Sequence, residues 1–271
     1  MLDYKRSYKR GLYGLIGDRF SESLHAITVI GDLLSDVDEF HEVVKYKDGY
    51  PALQKISTVT RDGGAWAVAH MVEQLGATTH LVADFLSVSV KRRIIANDQV
   101  LCRLDSDQLG CVPDTFDHAL PPAKICLVAD YGKGVVDFSL WRRIERAFPP
   151  ESDCEVIAEW REGKIPPIRA TAIKASWDYP PERVPPGVPV IRTLGSEGLE
   201  LRLGMHRRHF PAVSYGMPVL DPCGAGDAVL ASLGFARLQG MDWPEACSLA
   251  VENAAKVCSV WGAILPSSVG V

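Results

Sequence analysis

The regular pattern of the chain begins with Ala26-Ile27-Thr28-Val29-Ile30, an unbroken apolar and β-branched run that closes on Gly31-Asp32. A run this short, bounded by a turn residue, predicts a strand buried on both faces that enters a loop at its carboxyl end. Thr78 to Ala83, Ile125 to Ala129, Cys154 to Ala158 and Val188 to Thr193 repeat the pattern, and Leu199 to Leu203 adds a further strand. Ala65 to Leu75 holds no proline and stops at Gly76, which predicts a helix. Downstream, Gly224-Ala225-Gly226-Asp227 opens a helix from Ala228 to about Gln239, stopped by Gly240. Asp242 with Glu245 three residues on is a capping box, and it starts a last helix that reaches about Ser259. Strands alternating with helices predict an α/β fold with a mostly parallel sheet covered on both faces. Ligands of such sheets collect at the carboxyl ends of the strands, where Gly31-Asp32, Asp130 and Thr193 fall.

Two regions break this rhythm. Glu42 to Thr60 is polar with scattered Val, Ile and Tyr, and reads as short strands outside the main sheet. Arg93 to Ala96 and Val100 to Leu104 flank Asn97-Asp98-Gln99, the pattern of a hairpin or of a strand with a tight bend. Together, about 40–62 and 91–105 are expected to form a small β lid on a single domain spanning 1–271. The other region holds nine of the 18 prolines, between Pro149 and Pro189. Proline at that density prevents a long helix, so the crossover there is expected to be short or absent.

Composition narrows the functional classes. With 47% hydrophobic and 23% charged residues over 271 positions, the chain is an ordinary globular protein rather than a disordered or fibrous one. Its 29 basic against 34 acidic residues give a net charge of −5, which excludes a nucleic-acid binder held by bulk charge. No apolar run reaches the roughly 18 residues of a membrane span. The N-terminus is basic (Lys5, Arg6, Lys9, Arg10), but Gly11 to Ile16 is too short for a signal-peptide core, and Asp3 and Asp18 interrupt the basic character. Seven cysteines, an odd number without a C-x-x-C pair, read as small buried hydrophobes. The expectation is a cytoplasmic protein with neither membrane nor nucleic-acid partner.

The chemistry concentrates in Asp221-Pro222-Cys223-Gly224-Ala225-Gly226-Asp227. Small residues before a helix leave backbone N–H groups unobstructed, and the helix dipole favours an anion there. A carboxylate at Asp227 would accept a proton from a hydroxyl while those N–H groups hold a phosphoryl group in transfer. The competing reading is a glycine turn in which Asp227 only caps the helix. The chain contains no G-x-x-x-x-G-K-[ST], no G-x-G-x-x-G after a strand, no H-E-x-x-H and no G-x-S-x-G. Their absence argues against a P-loop kinase, a dinucleotide enzyme, a zinc hydrolase and a serine hydrolase, respectively.

Asp221 to Asp227 resembles the C-terminal signature of the ribokinase-like (PfkB) carbohydrate kinases. In that family this Asp is the catalytic base and the Gly-Ala-Gly forms the anion hole, so the resemblance assigns Asp227 and Gly224, Ala225 and Gly226 to those roles. Gly31-Asp32-Leu33-Leu34-Ser35-Asp36 resembles the first-strand motif whose last Asp binds sugar hydroxyls, making Asp36 a sugar ligand, with Asp32 a further candidate. Asp32 is also placed to hold its loop through backbone hydrogen bonds. Gly63-Gly64-Ala65 resembles the di-glycine signature, which adds Gly63 and Gly64 to the acceptor site. Thr193-Leu194-Gly195-Ser196-Glu197-Gly198 resembles the turn against the nucleotide, giving Thr193, Gly195 and Gly198. Lys91-Arg92-Arg93, Gln99 to Asp105 and Asp130-Tyr131-Gly132-Lys133-Gly134 are similar to segments of heptose 7-phosphate kinases. Arg103 and Lys133 are then candidates to hold a substrate phosphate. Asn253 is a candidate at the adenine, with a core-facing Asn as the alternative. The resemblance implies a three-layer ribokinase-like sandwich, ATP with Mg2+ and no tightly bound protein metal site, and a homodimer.

The chain also departs from that pattern. Ala67, preceded by Trp66, stands where the di-glycine motif continues to an Asn. Ser176-Trp177-Asp178-Tyr179-Pro180 replaces the N-x-x-E motif, and Glu159-Trp160-Arg161 replaces Asp-Pro-Lys. The segments from Asp84 to Lys91 and through the proline-rich stretch are shortened, which implies a smaller sheet or one completed by a partner chain. Beside a sugar-phosphate kinase, these departures keep open a catalytically weak homologue that binds nucleotide or sugar phosphate as a regulatory subunit. A nucleoside kinase of the same fold is the third reading.

Overall fold

The computed structural model describes residues 26–111, 120–162, 164, 167–176, 183–216 and 218–266. The basic N-terminal residues and the segment containing Trp177, Asp178, Tyr179 and Pro180 therefore lie outside the described residues.

The buried apolar runs become the middle of an eight-stranded sheet. Its strands are β1 (Ala26–Gly31), β4 (Thr78–Val82), β7 (Ile125–Ala129), β8 (Glu155–Trp160), β9 (Ala172–Ala175), β10 (Val190–Thr193), β11 (Leu199–Leu203) and β12 (His206–Phe210), in the order β12-β11-β10-β9-β8-β7-β1-β4. From β4 through β10 neighbours run parallel, whereas β11 and β12 pair antiparallel. β1 and β7 are buried at every position, as strands covered on both faces must be.

Helices α1 (Ala65–Gln74), α3 (Ala225–Leu238) and α4 (Trp243–Cys258) cover one face, and α2 (Phe138–Ala147) with Phe148 and Val184 covers the other. The capping box that starts α4 is formed in both directions between Asp242 and Glu245. α3 presents apolar or small residues nearly all round and lies tightly on the sheet. A Cβ on Gly234 would come within 2.7 Å of the Leu127 side chain, so glycine there sets how closely the helix approaches β7. Among the described residues no α-helix occurs between β8 and β10, in line with the proline density.

A second sheet, ordered β3-β2-β5-β6, stands beside the first. Its members are β2 (Leu33–Lys47), β3 (Tyr50–Gly64), β5 (Val88–Ala96) and β6 (Gln99–Ser106). Here the sequence reading needs correction. Instead of short strands after a loop, β2 and β3 are 15 residues each, and β2 starts at Leu33 directly after Asp32, so Asp36 lies on a strand. The joining turn carries Asp48 and Gly49 at φ 52° and 84°, the two left-handed positions of a tight hairpin, and Asp-Gly is the dipeptide that adopts them. The base of β2 is buried and its tip exposed, which blurs the alternation on which strand recognition depends.

Two elements had no counterpart in the sequence reading. α2 is short and half polar, but Leu140, Trp141 and Ile144 share its buried face, and the Asp137 side chain caps it by accepting from Leu140 N at 2.8 Å. β12 is an edge strand exposed at four of its five positions, so it lacks an apolar signature. Among the cysteines, Cys126, Cys154 and Cys247 are buried, as small hydrophobes would be, but Cys102 and Cys111 are exposed, and none forms a disulfide.

Candidate active site

The carboxyl ends of β1, β7, β8 and β9 meet the N-terminus of α3 and the base of the second sheet. Gly224 caps α3 at φ 84°, and a Cβ there would stand 2.3 Å from Ala263 Cβ, so backbone angle and space both demand glycine. Ala225 N donates to Pro222 O at 3.3 Å, while no acceptor among the described residues takes the N–H of Gly226 or Asp227. Those donors sit at the positive pole of a 14-residue helix.

Asp227 lies on the first turn of α3. Burial pushes its carboxyl up to about 7, with Lys91 pulling it down and Asp36 pushing it further up. The Tyr131 hydroxyl donates to its Oδ1. Tyr131 is itself held between two cations, with Lys91 Nζ 5.2 Å and the Arg161 guanidinium 5.4 Å from the ring centroid.

Asp32 is fully committed to positioning that loop. Its Oδ2 accepts from Tyr131 N at 2.8 Å and Lys133 N at 3.0 Å, and its Oδ1 from Val135 N at 2.9 Å. This geometry matches the loop-holding alternative and leaves its carboxylate little capacity for a sugar. Asp36 is only half-buried, and burial raises its carboxyl while Lys91 and Arg93 lower it. Gly63 faces it: a Cβ on that residue would fall 2.5 Å from Asp36 Oδ2, so the glycine leaves the carboxylate its space. Gly64, at φ 67°, caps α1, and a Cβ there would meet Asp32 O at 2.4 Å.

The two cations assigned to a substrate phosphate are both paired. Arg103 holds Asp105 through two hydrogen bonds on the exposed β6, and Lys133 Nζ is 2.5 Å from Asp107 Oδ1. Lys91, absent from the candidate set, makes no ion pair among the described residues and acts on both Asp36 and Asp227. Its signal was present in Lys91-Arg92-Arg93 but could not be separated from an ordinary basic strand.

Arg93, on β5, ties the second sheet to the segment that leads into α3. It donates to Asp38 from Nε at 2.6 Å and Nη2 at 3.0 Å, and to Asp221 from Nη1 at 2.9 Å and Nη2 at 3.0 Å. Burial opposes the charge, but the two carboxylates outweigh it and raise the guanidinium above its ordinary value. Burial likewise pushes Asp221 up, yet Arg93 and the N–H groups of Cys223 and Gly262 bring it below the usual carboxylate range.

Beyond the mouth of α3 opens a cavity of about 450 Å3. Thr193, Gly195 and Gly198 line it together with Ala225 and Gly226, as do Val229, Val251, Ala254, Ala255 and Cys258. Asn253 is not part of it: it is buried, and its Nδ2 donates to Ser232 Oγ at 3.0 Å, so the nucleotide assignment is corrected to the core-facing one. The neighbouring small residues of α4 form the wall instead. Trp66 packs edge-on to Phe85, with ring centroids 6.0 Å apart, and Ala67 is buried in the core. Among the described residues no group of three or more His, Cys, Asp or Glu is placed to hold a metal. Nor is any described helix long and apolar enough to cross a membrane.

The architecture matches solved structures along most of the chain. A nucleoside kinase from Methanocaldococcus jannaschii superposes with a TM-score of 0.64 at 16% identity, covering 88% of this chain and 93% of that one. Ribokinase from Thermotoga maritima gives 0.64 at 15% identity, covering 88% and 94%. This chain has the ribokinase fold. Residues 182–269 match the pfkB family carbohydrate kinase model, a stretch that carries the α3 mouth and most of the cavity wall. The ribokinase-fold chain is 23% identical to the D-beta-D-heptose 7-phosphate kinase of Bordetella bronchiseptica over 219 residues, 68% of this chain and 67% of that protein. It is 27% identical to the bifunctional protein HldE of Nitratiruptor over 224 residues, 72% of this chain and 47% of that protein. It thus spans about half the length of that bifunctional relative.

Proposed function

We propose that the protein is an ATP-dependent kinase acting on a hydroxyl of a sugar or sugar phosphate, with a heptose 7-phosphate as the favoured acceptor. One observation carries the reading. A carboxylate sits on the first turn of α3 beside backbone donors without acceptors, and a largely apolar cavity of nucleotide size opens from the same turn. In this reading Asp227 takes the proton of the attacking hydroxyl, and the unengaged N–H groups of Gly226 and Asp227 stabilise charge on the moving phosphoryl group. Asp36 and Gly63 position the acceptor under the second sheet, which serves as a lid. Thr193, Gly195 and Gly198 shape the nucleotide side. The apolar walls suit a base, and the free N–H groups suit phosphates, so ATP fits the residues present. Magnesium would arrive on the phosphates, since such ions keep most of their ligands from substrate and water.

The test is ATP consumption against heptose 7-phosphate, other sugar phosphates, free sugars and nucleosides. Turnover with a sugar phosphate well above the rest is expected; turnover only with nucleosides assigns the protein to nucleoside kinases. The Tyr131 bond to Asp227 and the loss of the N-x-x-E motif favour a second reading, a subunit that binds nucleotide and turns nothing over. ATP binding without turnover on any member of the panel is its signature.

A pH profile follows from the raised carboxyl. The base works only when ionised, so kcat/KM should be flat above about pH 8 and fall roughly tenfold per unit below about 7, near the value at which Asp227 titrates. A limb centred near 4 instead would mean that Asp227 is not the titrating base.

A further inference from the structure

We propose that Lys174 binds the phosphate chain of the nucleotide, its ammonium approaching from beneath the first turn of α3. The inference rests on the phosphotransfer reading above and adds to it a group that no sequence motif pointed to.

Lys174 and Glu159 are cross-strand partners in the β8–β9 register, and Lys174 Nζ lies 2.9 Å from Glu159 Oε1. Their side chains are 3% and 8% exposed, so both charges are nearly out of water. An ammonium taken that far from solvent is tolerated only when paired, and Glu159 supplies that pairing. An ammonium has three donors, however, and no other acceptor among the described residues takes the remaining two.

The position of the ammonium decides the matter. A Cβ built on Gly226 would stand 3.2 Å from Lys174 Nζ, so the ammonium packs against the helix turn where the side chain is missing. Gly226 also lines the cavity, and its own N–H is free. A cation set against the positive pole of a helix is repelled by it, so this contact does not itself stabilise the empty protein. A multiply charged anion at that mouth reverses the sign, because helix pole and ammonium then attract the same group. Glu159 balances the charge while the site is empty.

The experiment compares calorimetric binding of ATP and of adenosine, which lacks the phosphates. The variants are Lys174→Arg and the double variant Lys174→Met/Glu159→Gln, which leaves no lone buried carboxylate. We expect the double variant to bind ATP roughly 10- to 100-fold more weakly and adenosine within about twofold of the parent. Lys174→Arg should keep most of the ATP affinity. Equal affinities for ATP in parent and double variant overturn the proposal, as does an equal loss for ATP and adenosine, which would mark a structural role. A parent protein that binds no ATP at all overturns the phosphotransfer reading, and this inference with it.

Discussion

Asp227→Asn should lower kcat by about 10²–10⁴-fold while leaving the protein folded and ATP affinity within a few-fold of the parent. Asparagine keeps the shape and a hydrogen-bonding oxygen for Tyr131 but cannot take a proton. Its stability should not suffer. The carboxyl is raised to about 7 by burial, so above that pH the folded state bears the cost of a desolvated charge that the amide does not carry. Below the unfolded value of about 3.9 both forms are protonated and that advantage vanishes. Lost turnover with an unchanged or higher melting temperature at pH 8 is therefore the expected pair of results. An Asn variant that retains a tenth of the parental rate would remove Asp227 from the base role.

The second large effect is on stability. Arg93→Met removes four hydrogen bonds and leaves Asp38 and Asp221, both buried, without the guanidinium they share. Breaking a buried pair on one side costs about 3–5 kcal/mol. Asp38 keeps Arg61 at 2.5 Å, and Asp221 keeps the N–H groups of Cys223 and Gly262, so the lower end, about 3 kcal/mol, is expected. For a chain of this size that is a melting temperature lower by roughly 6–12 °C. Lys at this position preserves the charge but not the fork, and should fall between. Thermal unfolding within 1 °C of the parent would show that the network carries no net stability.

These residues also show what the sequence could and could not reveal. β1 and β7 were readable because every position is buried, and the start of α4 because its cap is written in two residues, Asp242 and Glu245. The glycine mouth of α3 was readable for the same reason: its chemistry is contiguous. What stayed hidden depends on pairing across the fold. Arg93 meets Asp221 at 128 residues' separation, and Lys174 meets Glu159 only through strand register. Asn253 was misassigned because α4 turns both a core face and a cavity face within one turn, and a single helix position decides between them. Asp32 and Asp36 share one motif yet do different work, since Asp32 is seized by three backbone N–H groups of the β7–α2 loop.

Asp36 and Asp38 lie two positions apart on β2, so the residue proposed to position the acceptor and the anchor of Arg93 belong to one stretch of backbone. Tilting the whole second sheet would tear out the Arg93 clasp, which makes the inner third of that sheet a fixed wall. Compliance is left to the outer part of the hairpin, past the register slips at Phe40/His41 and Val43/Lys45. Engineering a wider choice of acceptors should accordingly begin at those slips and leave the wall untouched.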